Sequence, residues 1–192
     1  MRPPRRIGRG RPQRARFFLG CEGEGERGYA ALLQELSDEA ERFIHLDPVL
    51  LQPGGGDPLA IIEKAAEEID RRERRFGEPY ADRFILLDRD KVGLKPQRDQ
   101  RGEQIATDIA ATLIWQDPAH EALLLRHLEG HANDRPPTTR IALQRLRQFW
   151  PGYRKPMSAK ALGERIDLAG AQRAAAADID PGFAALLASL GL

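Results

Sequence analysis

Cysteine is nearly absent from this 192-residue chain: Cys21 stands alone, so no internal disulfide can form and a reducing, cytoplasmic setting is expected. Long apolar runs are missing too. None approaches the roughly 20 residues that a membrane-spanning helix needs, which excludes a membrane partner of that kind. The first apolar run, FFLGC at 17–21, is too short for the core of a secretory signal. Aromatic residues are sparse at 6%, so broad base-stacking platforms are not expected; Trp115, Phe149 and Trp150 read as core. Acid is absent from residues 1–16, and the glycine-rich turn that follows has no Gly-Lys-Ser/Thr behind it. That omission, together with Glu22, Glu24 and Glu26 in the turn, rules out a nucleotide-binding P-loop.

What the chain has instead is charge, unevenly placed. Residues 1–16 carry seven arginines, a local +7. The whole chain is +1, so residues 17–192 sum to −6. A basic arm on an acidic body reads either as a phosphate grip, through Arg5, Arg6, Arg9, Arg11 and Arg14, or as a solubilising tail.

Strand and helix patterns alternate as far as residue 131. Ala15–Cys21 reads as a buried strand, followed by a helix over 26–42 with Tyr29, Leu32, Leu33 and Leu36 on one face. A second strand is expected at Val49–Gln52, after Pro48. Asp57-Pro58 has the N-cap and first-turn chemistry of a helix running to about Phe76. Arg83–Asp88 and Thr112–Trp115 read as strands, with a helix at 103–111 between them. Asp117-Pro118 is expected to open a helix to about His131, and Pro136-Pro137-Thr138 another that ends at Pro151-Gly152. The Ala-rich remainder reads as one or two helices. The expected fold is α/β, a mainly parallel sheet flanked by helices. The arm is placed at 1–15, the α/β core at 16–135 and a helical C-terminal extension at 136–192.

Three acidic features fall where a site would sit. Glu22 directly follows the first strand, Asp88 and Asp90 end the third, and Glu121 starts a helix. Ligands of open α/β sheets bind beyond the carboxyl ends of the strands. In extended backbone, residues i and i+2 face one way, so Asp88 and Asp90 would project together. Two close carboxylates call for a cation or a proton between them, and hard oxygen ligands suit Mg²⁺ or Mn²⁺. Taken alone, Asp-x-Asp after a strand is also a common surface turn. Glycines beside Glu22 allow close backbone approach to a ligand, yet an ordinary strand-to-helix turn has the same composition. His127 and His131, four apart, would share a helix face, with His120 one near-repeat earlier; they read as a zinc site or, since no cysteine or compact ligand set joins them, as surface or core-edge histidines. The cluster Arg71–Arg75 reads as nucleic-acid contact or as a solvated helix face.

The ordered runs CEGEGERGYAALL, FILLDRD, QDPAHEALLLRHLE and GYRK resemble the RloB-like family of the TOPRIM superfamily, over roughly residues 16–155. The resemblance implies a TOPRIM-like fold in which Glu22, Asp88 and Asp90, with Glu26 in the turn, hold a divalent metal for phosphodiester chemistry. By the same resemblance Glu121 matches a helix-start glutamate, Tyr29 and His127 match further family positions, and Tyr153 and Lys155 match a late pair. Lys155, or an arginine near it such as Arg154, would neutralise charge on a phosphoryl group. Gly25 departs from the family's threonine, Asp117 from its asparagine and His120 from an aromatic; Lys91 stands where an acid often follows.

The resemblance therefore implies a metal-dependent nuclease acting on DNA or RNA, tRNA included, in anti-phage defence, with an AAA- or ABC-type ATPase as partner. The alternative is a catalytically silent binding or regulatory subunit of such a complex. Self-association into a homo-oligomer stays open.

Overall fold

The structure, a computed structural model, describes residues 14–52 and 56–192. The arm arginines Arg5, Arg6, Arg9 and Arg11, and the glycine loop at 53–55, lie outside the described residues.

Four parallel strands form one sheet in the order β2-β1-β3-β4: β1 (Ala15–Cys21), β2 (Ile44–Leu50), β3 (Asp82–Asp88) and β4 (Thr112–Gln116). The two central strands are apolar on both sides because both sheet faces are covered. From β1, Phe17, Leu19 and Cys21 enter one core, while Phe18 enters the other. From β3, Phe84 and Leu86 join the first core, and Ile85 and Leu87 the second. Each such side chain contributes roughly 1.5–3 kcal/mol on burial.

Helix α2 (Pro58–Phe76) and α3 (Pro96–Asp108) pack together over the second core. The Asp57 side chain accepts a hydrogen bond from the Leu59 N–H at 3.1 Å, and Gly77 closes α2 in the left-handed region at φ 71°. The other face is covered by α1 (Glu24–Glu39), α4 (His120–His127), α5 (Thr139–Phe149), α6 (Ala159–Gly163), α7 (Leu168–Ala176) and α8 (Gly182–Leu190). Leu146, Leu162, Ala171, Phe183 and Leu186 of the last four helices lie in the same core as Leu19 of the central strand. Arg126 and Asp178 form an ion pair at 3.3 Å with 1% and 7% side-chain exposure, tying α4 to the turn after α7. The α/β class and parallel sheet thus agree with the sequence pattern.

Several boundaries differ from it. β2 begins at Ile44 and runs through Pro48, because it is an edge strand and a missing N–H can face away from β1. The first helix covers 24–39 and not 26–42. α3 starts at Pro96, seven residues before the expected 103, because it buries only Gly102 and Ala106 and shows little apolar periodicity. α4 starts at His120, since Ala119 holds an extended N-cap conformation, and it ends at His127. The C-terminal stretch holds three helices, the extra break falling at 164–167.

One close approach locks α1 to the chain that carries Lys155. A Cβ on Gly28 would stand 2.0 Å from the Met157 carbonyl oxygen, so no side chain fits there. Gly28→Ala is expected to force the two segments apart, at a cost of about 1–3 kcal/mol. Thermal unfolding should show a Tm lower by roughly 3–10 °C; an unchanged Tm would refute the contact.

Candidate metal and phosphate site at the carboxyl edge

The sheet order places β1 beside β3, while the chain leaves β1 toward β2 on one side and leaves β3 toward β4 on the other. The C-terminal ends of β1 and β3 therefore form a topological switch point, the crevice where open α/β sheets take ligands. Glu22 and Asp88 sit there. Glu22 Oε2 accepts a hydrogen bond from the Asp88 backbone N–H at 3.4 Å. Asp88 Oδ1 accepts one from the His120 N–H at 2.9 Å, which joins the first turn of α4 to the same point.

Glu26 is buried in the first turn of α1, where Oε2 accepts from the Gly23 N–H at 3.1 Å. Glu121 is buried as well, and its Oε1 accepts from Lys155 Nζ at 3.1 Å and from the Tyr153 hydroxyl at 3.3 Å. Lys155 itself reaches the surface. Lys91, after β3, stands near Glu22 across Gly56: a Cβ on Gly56 would lie 2.7 Å from Lys91 Nζ and 2.8 Å from Glu22 Oε1.

Asp90 is placed differently from the expectation. β3 ends at Asp88, so the alternation of an extended strand does not carry to Asp90, which lies exposed in the following turn. There its Oδ2 accepts from Thr139 Oγ1 at 3.4 Å, and its charge still reaches Glu22. Arg154 is exposed beside Lys155. Arg14 lies at the opposite end of β1, where it bonds Asp38 at 2.9 Å.

The site is crowded with negative charge. Burial, then Glu26 and Glu22, push the Asp88 carboxyl up to about 8 against the opposing pull of Lys155 and the His120 N–H. Burial also raises Glu22, with Glu26 and Asp90 adding to it and the Asp88 N–H and Lys91 working against it. Glu121 behaves otherwise: burial would raise it, but the Lys155 ammonium brings it below its ordinary value. Lys155 is correspondingly held up, because Glu121, Glu26 and Asp88 outweigh its desolvation.

The sequence set His120 beside the other two histidines, as a zinc ligand or a surface or core-edge residue, and gave it no part at the carboxyl edge. It is 1% exposed, and burial lowers its pKa, so the ring is neutral. The Gln116 amide donates to Nδ1 at 2.7 Å, which leaves the proton on Nε2, and Nε2 has no partner among the described residues. The ring edge lies 3.5 Å from where a Cβ on Gly25 would be, and Lys155 Cε is 3.3 Å from the same point. Gly25 therefore lets Lys155 and His120 approach α1 more closely than a threonine would allow. The only sequence signal was a histidine next to the helix-start glutamate.

Other expected residues turn out to be structural. His127 Nδ1–H donates to the Leu123 carbonyl and its Nε2 accepts from the Tyr29 hydroxyl, both at 2.8 Å, in a fully enclosed pair. Burial takes His127 down to about 4. His131 lies beyond the end of α4, paired with Asp134 and stacked on Phe149, so the two histidines do not share a helix face. Cys21 is buried, and burial raises its thiol pKa.

Oxygen donors of this type match Mg²⁺ or Mn²⁺, and the unbalanced charge on Glu22 and Asp88 is what such an ion would relieve. Among the described residues, however, no three His, Cys, Asp or Glu groups stand as a ready-made metal cage. Comparison with protein-family models, with curated proteins and with solved structures finds no match to this chain.

Two outcomes follow from this geometry. The Asp88 carboxyl is raised on folding, so its stabilising protonation is complete below the ordinary carboxylate pKa and is lost as pH rises toward about 8. Asp88→Asn should therefore stabilise the metal-free protein at pH 8 by about 1–2 kcal/mol, or roughly 3–6 °C in Tm, and the gain should vanish near pH 4. A Tm difference independent of pH would contradict this. Tyr29→Phe should leave His127 Nε2 without its donor and cost about 1–3 kcal/mol by denaturant titration. Its effect should be on stability, since the pair is sealed from the carboxyl edge.

Proposed function

We propose that this chain is a divalent-metal-dependent phosphodiesterase acting on DNA or RNA. The observation that carries the reading is the contact between the Glu22 carboxylate and the Asp88 backbone at the switch point, where burial and neighbouring carboxylates leave both carboxyl groups short of positive charge. Mg²⁺ or Mn²⁺, when bound, would supply Lewis-acid polarisation of a phosphodiester and a more acidic water. Glu22 and Asp88 would hold the ion, with Asp90 contributing from the turn above.

The remaining residues act around that point. Lys155 is kept charged by Glu121 while its ammonium remains surface-accessible, so it can meet a phosphoryl oxygen. Tyr153 donates to the same Glu121 oxygen that Lys155 bonds and so helps set where Lys155 points. The His120 amide orients Asp88, and its neutral ring keeps a second positive charge out of the site. A role in anti-phage defence beside an ATPase is proposed on the resemblance alone.

One observation favours the rival, a silent binding subunit: Glu26 and Glu121 are already engaged, by Gly23 and by Lys155. Incubation with plasmid and total RNA, in Mg²⁺ or Mn²⁺, separates the two. Cleavage by the parent with at least a hundredfold loss in Glu22→Gln is expected, in line with removal of a metal ligand (on the order of 10- to 100-fold in affinity or activity for outer partners alone). Binding without cleavage would favour the silent subunit.

A further inference from the structure

The described part of the arm leaves the sheet at the amino end of β1, a strand length away from Glu22 and Asp88. Among the described residues, cations closer to the carboxyl edge come from elsewhere. Residues 135–163 contain no aspartate or glutamate and seven Lys or Arg. This stretch is pinned to the site at two points, by Thr139 on Asp90 and by Lys155 on Glu121.

The pairing of its charges sets it apart. Helix α2 is also rich in arginine, but there Lys64, Arg71, Arg72 and Arg74 are in ion pairs with acids, and of its cations only Arg75 has none among the described residues, so that face is largely neutralised. By contrast Arg140, Arg145, Arg147, Arg154 and Lys160 have no ion pair among the described residues. On α5, Arg140, Gln144 and Arg147 are exposed at i, i+4 and i+7, and so line one face about 10 Å long. Ala142 and Leu146 of the opposite face are fully buried.

We propose that the exposed face of α5, continued by Arg154 in the following turn, is the surface that grips the nucleic-acid backbone beside the carboxylates. The inference rests on the phosphodiesterase reading and gives its substrate a track. A face of about 10 Å can meet roughly three successive phosphates of one strand, given about 3.4 Å of axial rise per phosphate. Arginine and glutamine side chains both donate to phosphate oxygens. An anionic membrane fits less well, because a helix that lies in a bilayer inserts its apolar face, and that face of α5 is spent inside the protein.

The test measures binding of a fluorescein-labelled, mixed-sequence DNA or RNA oligonucleotide in EDTA, by anisotropy, between about 50 and 200 mM salt. The combined variant Arg140→Gln, Arg147→Gln, Arg154→Gln keeps helix formers on an exposed face and should melt like the parent. It should bind roughly 10- to 100-fold more weakly, with a salt slope lower by about 2. Deletion of residues 2–13 should change affinity far less. Parent-like binding by the variant overturns the proposal, as does loss of binding confined to the deletion, or parent binding to phosphatidylserine vesicles and not to oligonucleotide. Weakened binding by the triple variant, with no cleavage by the parent in Mg²⁺ or Mn²⁺, would retain this surface and reject the phosphodiesterase reading. Unchanged KM for cleavage in the triple variant would do the reverse.

Discussion

Side-by-side pairing of β1 and β3 forces carboxylates that repel one another into a single crevice. Because the chain departs from β1 toward β2 in one direction and from β3 toward β4 in the other, the two strand-to-helix turns meet over the middle of the sheet. Glu22 and Asp88 are then neighbours by topology, and Glu26 follows one helical turn later. The fold holds them with backbone amides: Gly23 for Glu26, Asp88 for Glu22 and His120 for Asp88. Amides orient a carboxylate but carry no full charge. Among the described residues, the ammonium groups that act on them are those of Lys155 and Lys91, and Lys155 is shared with Glu121.

The two ends of the sheet handle charge in opposite ways. At the amino end, Asp47 receives the Tyr80 hydroxyl at 2.5 Å, Arg16 at 3.3 Å and Arg72 at 3.2 Å, and Arg16 lies over the rings of Phe76 and Tyr80. Acid and base are matched there, which is the pattern of a structural network. At the carboxyl end the acids are concentrated inside and the unmatched arginines outside. Segregation of that kind is costly in self-energy, and it is the arrangement that a bound cation and a bound polyanion would together offset.

The central strands were legible because FFLGC and FILL are continuous apolar runs, and α2 because Asp57-Pro58 is a local start signal whose hydrogen bond forms as expected. Glu22 and Asp88 were legible for a related reason: each ends a run that could only be a buried parallel strand. What stayed hidden depends on neighbours far along the chain. Pro48 looked like a strand boundary until β2 proved to be an edge. The position of Asp90 turned on where β3 stops pairing with β4. His120 matters because its Nε2 is enclosed without a partner among the described residues, and α5 because its arginines form no ion pair among them; neither fact is local to the sequence.

The ion pair between Arg126 and Asp178 has a consequence for how the chain can be divided. A guanidinium with 1% exposure relies on a carboxylate 52 residues further on, supplemented by the Asp117 carbonyl. Arg135 likewise donates to the Ala177 carbonyl. A polypeptide stopped after the last strand and α4 would enclose a bare cation and uncover a leucine-lined flank. The closing helices are thus an inseparable wall of the one fold, and a protease nick in the intervening loops would leave two pieces still clasped together.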